Sequence, residues 1–204
     1  SLEKAETFAK EHQVEKAYGS YEEMLQDPEV DLVYVATPHS HHYECMKLAL
    51  CYGKPVLCEK AFTANAEQAE EILSISEEKK LFVGEAMWTR FLPSRKMIDE
   101  VVSSGEIGQV HMITANLGYD IRMVERLRNP ALAGGALLDV GIYPLTFIRM
   151  ITSSKITSID TSCVKLETGV DAQNTVTFVF EDGCMATMHS SMLGGTEQAG
   201  IVYG

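Results

Sequence analysis

Positive charge is what this chain has too little of: 17 lysines and arginines stand against 29 aspartates and glutamates, a formal net charge of -12. Such a surface repels a phosphate backbone, which argues against nucleic acid as a partner and leaves a small molecule or another protein. Long apolar runs are scarce as well. No stretch approaches the roughly 20 consecutive apolar residues of a membrane span, and the amino terminus shows no signal-like pattern, so no membrane partner is expected. The five cysteines, at positions 45, 51, 58, 163 and 184, are odd in number and show no Cys-x-x-Cys spacing. That argues against a disulfide framework or a zinc site and fits a reducing, cytoplasmic setting. The chain opens at Ser1 without a methionine and reaches Val202-Tyr203-Gly204 without an obvious terminal element, so it reads as a piece of something longer.

What is present is an alternation of short apolar runs and amphipathic segments. Leu2, Ala5, Phe8 and Ala9 recur at helical spacing behind Ser1, an N-cap residue type, and predict a helix ending near His12. Ser20 followed by Glu23 is a capping-box signature for a helix to about Gln26, which Asp27-Pro28 stops. Asp31 to Thr37 reads as a buried strand, His41 to Tyr52 as a helix closed by Gly53, and Pro55-Val56-Leu57-Cys58 as a second strand ending in Glu59-Lys60. Asn65 caps a helix through Lys79, and Leu81 to Met87 is a third strand. Strands alternating with helices of about 12 residues predict a parallel, doubly wound sheet with its ligand edge at the strand carboxyl ends, which makes Thr37, Lys60 and Trp88 neighbours.

Beyond Trp88 the pattern changes. A helix from Pro93 to Ser103-Ser104 precedes a strand from Gln109 to Gly118. Gly135 to about Ile151 is helical, with a kink expected near Tyr143 because Gly141 and Pro144 both weaken it. Strands follow at about Ile156 to Leu166, Asn174 to Phe180 and Cys184 to Met192, the last two joined by the turn Glu181-Asp182-Gly183.

Three side chains in this layout carry chemistry. Lys60 sits at the ligand edge, where an ammonium can stabilise an alkoxide or lower the pKa of a neighbouring phenol. Asp139 and Tyr143, at i and i+4, share a helix face, and a carboxylate among Leu137, Leu138, Val140 and Ile142 needs a partner such as Lys60. The competing reading is an outward Asp139 with Tyr143 in the core. Glu59 can accept from a ribose hydroxyl, and Trp88, the only tryptophan, can wall a flat ring or fill the domain junction. His39, His41 and His42 open a helix with no matching acid or cysteine spacing, so no metal is expected.

The run Thr37-Pro38-His39 with His42, the Glu59-Lys60 strand end, Glu85-Ala86-Met87-Trp88-Thr89-Arg90-Phe91 and Gly134-Gly135-Ala136-Leu137-Leu138-Asp139-Val140-Gly141-Ile142-Tyr143 together resemble the glucose-fructose oxidoreductase, inositol dehydrogenase and rhizopine-catabolism protein family. The resemblance covers essentially the whole chain, most closely the branch that oxidises trans-dihydrodiols of aromatic hydrocarbons and D-xylose. It implies an α/β fold: a truncated Rossmann-type parallel sheet in residues 1–88, then an α+β substrate and dimerisation domain with a mainly antiparallel sheet in residues 89–204. It also implies an NADP-dependent enzyme, NAD being possible, acting on a small diol or sugar as a cytosolic homodimer. In that family pattern Lys60, Tyr143 and Asp139 are the catalytic set, with Trp88, Asp139 and Tyr143 facing substrate. Thr37, Pro38, His39, His42, Glu59, Lys60, Trp88 and Arg90 hold the cofactor. Two departures stand out: Ala61 occupies the place of the family's proline, and the Gly-x-Gly-x-x-Gly loop that cradles a pyrophosphate is absent. The alternatives are a non-catalytic dinucleotide-binding scaffold or sensor of the same fold, a fragment inactive for want of that loop, or a dehydrogenase for another sugar or cyclitol.

Overall fold

The computed structural model describes residues 1–204. Its first half follows the alternation of the sequence: α1 (Leu2–His12), α2 (Tyr21–Gln26), β1 (Val33–Val35), α3 (His39–Cys51), β2 (Val56–Cys58), α4 (Ala66–Lys79) and β3 (Val83–Glu85). The three strands pair in parallel in the order β1-β2-β3. All their carboxyl ends therefore lie on one edge, with Cys58 beside Val35 on one side and Glu85 on the other. Paired segments are shorter than the apolar runs Asp31 to Thr37 and Leu81 to Met87. The central strand, Val56–Cys58, has only three residues between Pro55 and the loop at Glu59, which limits the pairing available to its neighbours. Met46, Leu50, Val56, Cys58 and Ile72 are fully buried between sheet and helices.

Two of the three anticipated caps of this half form, at Ser20 and Asn65, while Ser1 makes no side-chain cap bond to α1. Ser20 Oγ accepts from the Glu23 N–H at 3.1 Å, while the Glu23 carboxylate reaches one residue further back, to the Gly19 N–H at 2.8 Å. Asn65 Oδ1 accepts from Gln68 N–H at 3.0 Å. Each satisfies one orphan donor of a helix start.

A 3-10 turn (Trp88–Phe91) and α5 (Pro93–Ser104) lead to β4 (Met112–Gly118), followed by α6 (Glu125–Arg128), a π-helical turn (Leu137–Gly141), α7 (Ile142–Ile151), β5 (Ile156–Lys165), β6 (Asp171–Phe180), β7 (Met185–Ser191) and β8 (Gly200–Tyr203). The second sheet runs β5-β6-β7-β4-β8, antiparallel except for the β4–β7 pair. β8 corrects the expectation of no terminal element: Gly200-Ile201-Val202-Tyr203 pairs with β4 at the sheet edge. The expected kink near Tyr143 is instead a widened turn just before it. Gly141 permits that turn to press on β7, since an added Cβ would stand 2.9 Å from Ser190 Oγ.

The segment Pro130–Ile151 is, at 22 residues, long and apolar enough to cross a membrane by length and composition, which the sequence reading overlooked. It packs on the second sheet as a core helix, with Ile148 fully buried against Ile113, Ala186 and Met188.

Candidate active site

The glycine pair sets up the site. Gly135 has φ +117, and a Cβ there would clash with the Asp171 carboxylate; a Cβ on Gly134 would strike the Leu127 carbonyl. With both hydrogens only, the chain turns tightly enough for Leu137 N–H to donate to Asp171 Oδ2 at 2.7 Å and open the π turn. That turn carries Asp139 inward, 6% exposed, which settles its orientation against the outward alternative. In a π turn the Asp139 carbonyl would look to the N–H five residues on, and residue 144 is a proline with none to give. Lys60 takes the vacancy: its Nζ donates to the Asp139 carbonyl at 2.6 Å and lies 3.4 Å from Asp139 Oδ1.

Sequence reasoning missed Arg126, whose Nη1 donates to the same Oδ1 at 2.9 Å. One carboxylate thus joins a largely buried ammonium to a half-exposed guanidinium. Arg126 lies on the short helix α6, with no periodic or motif signal to mark it, and only the fold brings it over Asp139.

Tyr143 also faces this cluster, though not as anticipated. The Lys60 ammonium lies over its ring, 5.1 Å from the centroid, and the phenol oxygen instead accepts from Trp88 Nε1 at 3.1 Å. Burial pushes the Tyr143 phenol above its ordinary value, with the carboxylates of Glu59, Asp139 and Glu85 adding to the rise and the Trp88 hydrogen bond opposing it. The expectation that Lys60 lowers this pKa is therefore corrected for the chain by itself: the ammonium is at the ring face, and burial wins. Trp88 is more than half exposed, so it is a wall of the cleft and no core aromatic.

The other predicted residues surround the strand ends. His42 is fully buried, its ring nitrogens 2.8 Å from the carbonyls of Thr37 and Ala61, so it ties the β1 and β2 ends together and presents no atom for direct contact with a cofactor. His39 is also buried, its Nδ1 3.0 Å from the Ala133 carbonyl, and burial lowers its pKa. Thr37 Oγ1 is buried with no hydrogen-bond partner, and Pro38 is the N-cap residue of α3. Glu59 accepts from the Tyr34 hydroxyl and, through Oε2, from Lys60 N–H at 3.2 Å. Arg90 is exposed on the 3-10 turn. Glu85 accepts from Phe62 N–H at 2.9 Å and so clamps the loop after Lys60; burial raises its pKa.

These elements enclose a cleft of about 560 Å³, lined by Lys60, Trp88 and Thr89 from the segments that follow β2 and β3 and by Asn116 of β4, Arg126 of α6, Asp139 of the π turn and Tyr143 of α7. Its far wall is apolar, built from Leu117, Ile121, Val124, Phe147 and Met150. A second hollow of about 520 Å³ on β5, β6 and β7 is lined mainly by serine, threonine, asparagine, glutamine and glycine. It holds the His189 imidazole and the Cys163 thiol but no ammonium, phenol or carboxylate; the cluster of Lys60, Asp139 and Tyr143 lies in the first.

A strand-end cleft of this kind is what nicotinamide oxidoreductases use, and the comparison with known families agrees. Residues 1–86 match the model described as "Oxidoreductase family, NAD-binding Rossmann fold", and residues 96–204 match "GFO/IDH/MocA C-terminal domain". The chain belongs to the GFO/IDH/MocA family of oxidoreductases. Among its relatives, D-xylose 1-dehydrogenase (NADP(+)) of Hypocrea jecorina is 50% identical over 143 residues, covering 65% of this chain and 37% of the relative. Trans-1,2-dihydrobenzene-1,2-diol dehydrogenase of Danio rerio is 37% identical over all 204 residues, 61% of its own length. The chain thus spans only part of each. In fold it resembles a 3-ketoreductase from Actinomadura kijaniata, seen in complex with NADP and TDP-benzene, with a TM-score of 0.90 at 22% identity over 100% of this chain and 63% of that one.

Proposed function

We propose that this chain carries the nicotinamide-facing active site of an NADP-dependent dehydrogenase, acting at a hydroxyl-bearing carbon of a trans-dihydrodiol or a sugar. The observation that carries the reading is the convergence of Lys60, Asp139 and Tyr143 in one cleft at the strand ends. The donor set fits a nicotinamide: an ammonium and a phenol stand at the sheet edge, and the buried Thr89 hydroxyl in the cleft lacks a partner. The fit is to that end of the cofactor alone, since no Gly-x-Gly-x-x-Gly occurs in the sequence. Pro38, Glu59, Lys60, Trp88 and Arg90 would flank it, with His39, His42 and Thr37 shaping the turn. When bound, the nicotinamide supplies the hydride acceptor or donor.

The residues divide the remaining work. Lys60, steered by Asp139, offers positive charge to an oxygen that gains negative charge as its carbon is oxidised. Tyr143 exchanges the proton. Its raised pKa keeps the phenol protonated, which readies it to donate in the reductive direction; in the oxidative direction it needs the Lys60 charge and the indole N–H to accept. Arg126 donates to the same Asp139 Oδ1 that Lys60 faces, keeping the carboxylate aligned.

The apolar far wall, with Trp88 and Tyr143, favours a ring that is hydroxylated on one side and hydrocarbon on the other, as in a trans-dihydrodiol. D-xylose is the second reading, supported by the 50% identity to D-xylose 1-dehydrogenase (NADP(+)), whose cofactor also supports NADP. The open face of the second sheet exposes Met112, Met185, Ile201 and Tyr203, a surface for a second copy of the protein. Dimerisation there is checked by sedimentation. The functional test is incubation of the protein with NADP and either trans-1,2-dihydrobenzene-1,2-diol or D-xylose, following reduced nicotinamide by absorbance. Reduction with a larger kcat/KM for the diol is expected. A protein that binds NADP yet oxidises neither compound contradicts the reading.

A further inference from the structure

The oxygen of Tyr143 has one side-chain hydrogen-bond partner, and it comes from 55 residues away: Trp88 Nε1, at 3.1 Å. An indole N–H can only donate, so the phenol oxygen is the acceptor and its own hydrogen must point elsewhere. The rings meet edge on, with centroids 6.2 Å apart and planes inclined by 64°. Apolar burial does not explain the position of Trp88, which is more than half exposed. Its backbone does: Met87, fully buried, anchors the end of the β3 segment, and the 3-10 turn that follows is set by Trp88 N–H to the Ala86 carbonyl and Arg90 N–H to the Met87 carbonyl, both at 3.0 Å. Lys60 does not compete for the oxygen, because it lies over the ring face and donates to Asp139.

We infer that Trp88 is a positioning residue for the Tyr143 proton: its indole N–H fixes the phenol oxygen as an acceptor, turns the O–H into the cleft, and stabilises the phenolate whenever that proton leaves. The inference rests on the reading of Tyr143 as the proton-handling group. Charges from four other elements also face the phenol: Lys60 and Glu59 after β2, Glu85 at the end of β3, Asp139 on the π turn, and Arg126 on α6 behind Asp139. The indole bond draws the phenol pKa down while burial and the three carboxylates push it up. Trp88 is thus the neutral donor that partly offsets the cost of forming a phenolate in this cleft.

Trp88 is the only tryptophan in the chain, so replacing all tryptophan by β-(3-benzothienyl)alanine alters this position alone. The replacement keeps the ring shape and exchanges N–H for sulfur, so loss of folding does not confuse the result. The ionisation of Tyr143 is read from the ultraviolet phenolate band, as the difference between each protein and the same protein carrying Tyr143→Phe. Losing one hydrogen bond to an anion is expected to raise the titration midpoint by about one pH unit, roughly tenfold in proton affinity. Trp88→Phe should give the same shift, and in the oxidative direction the limb of the kcat profile that rises with pH should move with it. An unshifted midpoint in the isostere overturns the inference. The two layers fail separately: full turnover in Tyr143→Phe removes the proton-handling role from the phenol, whereas an inactive Tyr143→Phe with an unshifted isostere removes only the role of Trp88.

Discussion

Replacing Asp139 by asparagine leaves the shape of the cleft almost unchanged and removes the one anion that joins two cations. Lys60 loses its partner at 3.4 Å but keeps the Asp139 carbonyl at 2.6 Å, with both side chains largely buried. At an effective dielectric of about 20, a pair at this distance is worth roughly 5 kcal/mol before desolvation, and desolvation together with the retained carbonyl bond reduces the loss to about 2 kcal/mol. Arg126 is 47% exposed, so its contact adds no more than about 1 kcal/mol and weakens with salt. The total, about 3 kcal/mol, corresponds to a melting temperature lower by roughly 6 to 12 °C for a chain of this size. Thermal and urea unfolding of Asp139→Asn, alone and combined with Lys60→Met, measure it. The double variant should recover part of the loss, because no uncompensated ammonium remains beside the buried site. Stability of Asp139→Asn within about 0.5 kcal/mol of the parent would refute the view that this carboxylate holds the cluster together.

Two other perturbations separate local geometry from chemistry. Gly135→Ala and Gly169→Ala both place a side chain at positive φ, +117 and +92, but only the first meets the Asp171 carboxylate, the second having nothing within 4 Å. Gly169→Ala should cost about 1 kcal/mol in urea unfolding. Gly135→Ala should cost on the order of 3 kcal/mol or more and disturb the turn that presents Asp139; equal costs would contradict the assignment. Glu85→Gln keeps an acceptor for Phe62 N–H and removes a charge that is costly to bury. Because burial raises the folded pKa of Glu85, its contribution to stability is full below the unfolded value of about 4.3 and is lost as pH rises through the folded value. The glutamine variant should therefore gain on the parent in denaturant midpoints as pH rises from about 4.3 through the raised folded value, and parallel curves for the two proteins would count against that environment.

The period of the apolar pattern was enough to find the parallel strands, the helices between them and the edge where Lys60 emerges, because those features depend on neighbours in sequence. Lys60 meeting Asp139 was legible for a different reason: a carboxylate in an apolar helix needs a cation, and the strand end offered one. Features that depend on tertiary approach were not legible. Arg126 reaches Asp139 only after β4 and α6 fold over the cleft, and the Trp88 bond to Tyr143 spans the two sheets. Gly141 and Pro144 advertised an irregular helix, but whether it kinks or widens is decided by Ser190 beneath it and Lys60 beside it. The β8 strand was hidden by its shortness, four residues that make sense only against the free edge of β4.

Tyr143 and Lys60 acting on one proton and one developing alkoxide is the central claim, and the kcat of Tyr143→Phe, measured beside its NADP dissociation constant, tests it most directly. General acid-base catalysis is typically worth 10² to 10⁴, so turnover should fall by about 10² or more while cofactor affinity stays nearly unchanged. Adding Lys60→Met to that variant should lower turnover little beyond the worse single change, because residues that work as a unit are not additive. Turnover near that of the parent in Tyr143→Phe, or independent and multiplicative losses in the double variant, would contradict it.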